Sequence, residues 1–85
     1  MNCIAIMESG NFALALTRLL NDGGIQAQVV STPCRLSGEG CGYSVKFDEN
    51  DKDGIFRIAN EKNIKINSVY WITKEHSRQK YHKLL

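Results

Sequence analysis

Eighty-five residues, 42% of them hydrophobic and 24% charged, make one globular domain with a modest core and exclude a disordered chain. The net charge of +2 is small, and its excess is local to Lys74, Arg78, Lys80 and Lys83 against Glu75. No apolar run approaches the length of a membrane span, so no membrane role is expected.

Asn2–Met7 is short, apolar and rich in isoleucine, the pattern of a strand buried on both faces. It has no basic leading region, so it reads as a strand and not as a signal peptide. Glu8-Ser9-Gly10-Asn11 supplies helix-start chemistry, since Ser9 or Asn11 can accept from the free amides of a first turn. Phe12, Leu16, Leu19 and Leu20 follow at helical spacing, and Asp22-Gly23-Gly24 ends the helix. Gln26–Ser31 is a second strand closed by Pro33. Gly42–Phe47 is a third, with Tyr43, Val45 and Phe47 on one face and Ser44 and Lys46 on the other.

Asp48–Asp53 is an acidic helix start, followed by Ile55, Phe56, Ile58 and Ala59 on an amphipathic helix. The segment also resembles half a calcium loop, but position twelve is Asn60 where a bidentate Glu is needed. Ile64–Thr73 is a β-branched and aromatic fourth strand. Its adjacent Tyr70 and Trp71 face opposite sides of the sheet, so one enters the core and the other offers a dimer surface on the open sheet face. His76–Leu85 is a basic tail, a short helix or frayed. It is too weakly patterned to argue for nucleic acid, and His76 and His82 lack compact zinc spacing.

The order β-α-β-β-α-β predicts an α+β, ferredoxin-like sandwich: a four-stranded antiparallel sheet with two helices on one face. Residues 1–73 form the domain and residues 74–85 the tail. Strands 1 and 2 then run parallel, which brings the amides of Ser9–Phe12 to the edge of the sheet that holds residues 32–42.

That stretch carries the candidate chemistry. It is long for a hairpin, and long loops on rigid domains often carry function. Gly38, Gly40 and Gly42 allow positive φ and close approach of a ligand. Arg35 and the first turn of the helix would both favour a thiolate at Cys41 or Cys34. The opposing reading is an ordinary glycine-rich hairpin with small buried cysteines. Cys34 and Cys41 could also pair as a redox switch. Cys3 lies in the first strand and reads as core. Three cysteines are an odd number for a secreted scaffold, so reduced thiols in the cytoplasm are the simpler expectation.

Thr32-Pro33, Leu36-Ser37, Cys41-Gly42, Ser44 and Phe47 together resemble the selenium/sulfur (Se/S) carrier protein-like family of small bacterial proteins. The likeness extends weakly over residues 4–72. It implies that Cys41 carries sulfur or selenium as a covalent adduct; Pro33, Arg35, Gly40 and Gly42 of the loop and, from the fold geometry, Ser9 at the helix start are then expected around it. It also implies donor and acceptor proteins as partners, no cofactor, and no turnover of the protein's own. Cys34 stands where the family has no thiol and could resolve a persulfide; it also shifts Arg35 relative to the family's basic position. A non-covalent binding or dimerisation module is the alternative.

Overall fold

Strand β1 (Cys3–Met7) lies inside the sheet with a strand paired on each side, and all but Ile6 of its residues are buried. The structure is a computed structural model, and it describes residues 1–33, 36 and 42–84. After β1 come helix α1 (Gly10–Asp22), strands β2 (Ala27–Ser31) and β3 (Tyr43–Phe47), a 3-10 turn (Glu49–Asp51), helix α2 (Lys52–Glu61), and strands β4 (Ile66–Glu75) and β5 (Arg78–Lys83). Among the described residues these strands form a five-stranded sheet in the order β2-β3-β1-β4-β5. Every pairing is antiparallel.

The sheet therefore has five strands where the sequence predicts four. The basic segment expected to be a short helix or frayed contains β5, which pairs with β4 from Tyr70↔Lys83 to Glu75↔Arg78. Its turn is made by His76 at φ 52° and Ser77 at φ 65°. Two residues in the left-handed region are the geometry that matches the twist of a two-residue hairpin.

Both helices pack on one face of the sheet. Cys3, Ala5 and Met7 alternate along β1 and join Val45, Phe47 and Val69 against Ala13, Leu16 and Leu20 of α1 and Ile55 and Ala59 of α2. The buried stripe of α1 is Ala13, Leu16, Thr17 and Leu20. Phe12, expected in that stripe, is exposed. Neither Tyr70 nor Trp71 enters the core; Val69 does. Trp71 lies opposite Cys3 in register yet stays 39% exposed, its ring 5.8 Å from that of His82.

Both helices end the same way. The Ile25 amide donates to the Leu20 carbonyl at 2.8 Å and the Gly24 amide to Asn21 at 3.1 Å, with Gly24 at φ 84°. In α2 the Ile64 amide donates to Ala59 and the Asn63 amide to Asn60, with Asn63 at φ 55°. This cap satisfies the last carbonyls and turns an isoleucine back onto the core. The acidic segment before α2 is a helix entry: Asp48 accepts from the Asn50 amide, and the Glu49 amide donates to the Asn2 side chain. Among the described residues no helix is long and apolar enough to cross a membrane.

Candidate functional site

The β2–β3 connection rises from a stem built by three residues. The Thr32 amide donates to the Gly42 carbonyl at 2.8 Å, extending the ladder one pair beyond Ser31↔Tyr43. The Thr32 and Ser44 hydroxyls meet at 2.6 Å, and both residues are buried. In an antiparallel pair, residues two apart across the register lie diagonally on one face, which is how a residue before Pro33 reaches one after Gly42. Beyond the stem, the Leu36 amide donates to the Pro33 carbonyl at 2.9 Å.

The start of α1 stands beside this stem. β1 and β2 both run antiparallel to β3, so the end of β1 and the end of β2 lie at the same edge of the sheet. Ser9 caps the helix, its hydroxyl accepting from the Phe12 amide at 3.3 Å. A Cβ on Gly10 would stand 2.9 Å from the Tyr43 ring, so glycine is what lets the helix start settle on that ring. Ser9, Gly10, Asn11, Leu14, Val29 and Tyr43 line a cleft of about 480 Å³.

Pro33 lies elsewhere. It lines a smaller cavity of about 120 Å³ on the opposite face of the sheet, with Ile4, Val30, Lys46, Ile72 and Tyr81 among its neighbours. Ile4 is 2% exposed although the helices lie on the other side. Ser9 and Pro33 are therefore on opposite faces of the sheet and do not share one cavity.

Gly42 is exposed, and among the described residues a Cβ there would meet only the Thr32 hydroxyl, at an ordinary 3.7 Å. Among the described glycines, Gly24 alone has positive φ, so the conformational freedom expected of Gly42 is not used. Cys34, Arg35, Gly40 and Cys41 lie outside the described residues. Cys3 is fully buried in the core, and burial, reinforced by Glu49, pushes its thiol above the ordinary 9.0. That makes it a poor nucleophile.

Thr32 and Ser44 stand out in the sequence only as motif positions. Their contact could have been anticipated from the hairpin register, which sets Thr32 one pair beyond Ser31↔Tyr43. Tyr81 and Lys46 on the open face had no such signal, because they line one cavity from β5 and β3, strands distant in sequence and separated by β4 and β1.

A model of the family described as Putative Se/S carrier protein-like matches residues 2–71. No curated protein and no solved structure matches the chain.

Proposed function

The chain belongs to the putative Se/S carrier protein-like family, and from that premise we propose that it is a covalent carrier of sulfur or selenium with Cys41 as the carrying thiol. The observation that carries this reading is the family match over residues 2–71, from β1 into β4. The stem supports it: Thr32, Gly42 and Ser44 spend a backbone bond and a buried hydroxyl pair on holding the residues that flank Cys41.

The chemistry needs only a thiolate. Cys41 sulfur attacks the terminal sulfur of a donor persulfide, the donor's S–S bond breaks, the donor leaves as a thiolate, and Cys41 holds the new persulfide. A selenium donor gives the seleno analogue by the same displacement. An acceptor thiolate then repeats the step on the loaded Cys41. Nothing is turned over, so the protein acts as a carrier between a donor and an acceptor protein and not as an enzyme. Arg35 and the first turn of α1 favour the thiolate, and a Cys34 thiolate can attack the Cys41 sulfur of the loaded form, breaking the S–S or S–Se bond so that the cargo leaves as sulfide or selenide and a Cys34–Cys41 disulfide remains for a partner thiol to reduce. We read the first four strands and two helices as ferredoxin-like, with β5 added at one edge, and place the protein in the cytoplasm, where its thiols stay reduced.

The test is intact-protein mass spectrometry after incubation with a persulfide donor and, separately, a selenopersulfide (R–S–SeH) donor. The expected result is an adduct of roughly 32 or 80 Da on wild type and none on Cys41→Ser. A protein that stays unmodified where a reference carrier thiol is labelled overturns the reading.

A further inference from the structure

The two edges of the sheet are not alike. β5 carries Arg78, Lys80 and Lys83, the charged side chains that keep an exposed strand from pairing with another chain. β2 has no such protection, since residues 25–33 include no charged side chain at all.

The hydrogen-bonding groups of β2 are divided cleanly. Thr32 bonds to Gly42, so Thr32, Val30 and Gln28 turn their amides and carbonyls toward β3. Ala27, Val29 and Ser31 turn theirs away from the sheet. The Ala27 amide is already satisfied by the Asn21 side chain at 3.2 Å. Val29 and Ser31 are left at the edge, with no backbone partner among the described residues. Beside them, Leu14 is 58% exposed and Tyr43 52% exposed, and both line the cleft of about 480 Å³ that Val29 also lines. An uncharged strand edge and an apolar cleft lie along one margin of the molecule.

We propose that this margin is the docking edge for a second copy of the chain, paired antiparallel through β2. The pattern of free groups selects that occupant. Strand addition draws its affinity from main-chain hydrogen bonds, and a second copy matches this edge position for position: Val29 and Ser31 offer outward groups, while the Ala27 amide is taken by Asn21 and Pro33 has no amide hydrogen. No charge on residues 25–33 opposes the approach. The β5 edge, with three cations, repels its own copy. One register uses what is available: Val29 opposite the partner's Ser31 and Ser31 opposite the partner's Val29, around a two-fold axis at Val30. Both residues then exchange their outward amides and carbonyls, and the Asn21–Ala27 bond stays intact. The two sheets become one, with both β5 edges at its ends. An isologous contact of this kind closes on itself and does not grow into fibres. It is independent of any cargo on Cys41.

The test is light scattering on the full reduced chain across a concentration series, with amide hydrogen exchange on the same samples. The expected result is a species of twice 9.6 kDa at high concentration. In it the Val29 and Ser31 amides become protected and lose that protection on dilution, while those of Gln28 and Val30 are protected throughout. Leu14→Lys, at an exposed position, should weaken dimerisation by about tenfold or more, and Ser31→Pro should do so by removing one edge donor. A monomer at every concentration overturns the proposal. So does a dimer in which Val29 and Ser31 exchange as in the monomer, or one that Leu14→Lys leaves unchanged.

Discussion

The Thr32 and Ser44 hydroxyls lie 2.6 Å apart, both out of water, at the point where β2 and β3 part. A buried hydroxyl without a partner costs about 1–3 kcal/mol. Ser44→Ala strands Thr32, and Thr32→Val strands Ser44, so each single change should cost about that much in a urea unfolding curve. The double variant removes both groups and should cost less than the sum by at least about 0.5 kcal/mol. Additive losses would show that the two hydroxyls do not act together.

Much of this architecture was legible. The two-sided apolar β1, the core positions Val45 and Phe47 of β3, and the Gly23-Gly24 stop after α1 are local patterns, and the structure follows them, although Tyr43 on the same face stays exposed and Ser44 on the other is buried. β5 was not legible because Arg78-Gln79-Lys80-Tyr81-His82-Lys83 has one half-buried residue and its turn is His-Ser in place of Asn-Gly. The exposure of Phe12 was not legible because hydrophobicity alone does not set the phase of a helix that carries Phe12 and Leu14 outward; Ala13 and Thr17 fill the stripe instead. At the candidate site the candidate cysteines and the family motif were visible in the sequence. The stem that flanks it was not, since the Thr32–Ser44 contact exists only once β2 and β3 are in register.

The β4–β5 turn holds two non-glycine residues at φ 52° and 65°. Such a conformation costs roughly 1–2 kcal/mol per ordinary residue, and Asn-Gly relieves most of it. The variant His76→Asn with Ser77→Gly should therefore be more stable by about 1 kcal/mol, seen as a higher denaturation midpoint with an unchanged m-value. It should also slow amide exchange along Arg78–Lys83. A neutral or lower midpoint would mean that the β5 pairing contributes nothing to the cooperative unit.

Two glycines should behave oppositely. Gly24 sits at φ 84°, so Gly24→Ala forces a side chain into the left-handed region and should cost about 1 kcal/mol or more. Gly42 has no positive φ and, among the described residues, room for a methyl group, so Gly42→Ala should stay within about 0.5 kcal/mol of wild type. A Gly42→Ala protein that keeps its stability but loses adduct formation would assign Gly42 to the chemistry beside Cys41 and not to the fold. Thermal melts alongside the mass-spectrometric assay separate the two effects.

Cys3 gives the fold a signature at alkaline pH. Its thiol is pushed above 9.0, first by burial and then by Glu49. The unfolded chain can ionise Cys3 near 9.0 while the folded chain resists, so the unfolded state binds fewer protons above that value. Stability is then at its full level below pH 9 and falls as pH rises past it. Cys3→Ala removes this loss, so the stability difference between wild type and Cys3→Ala should shrink between about pH 8 and pH 10. Urea midpoints across that range measure it, and a constant difference would contradict the burial argument. The same burial predicts that iodoacetamide leaves Cys3 untouched in the native protein and modifies it only after unfolding, so any thiol labelled under native conditions is Cys34 or Cys41.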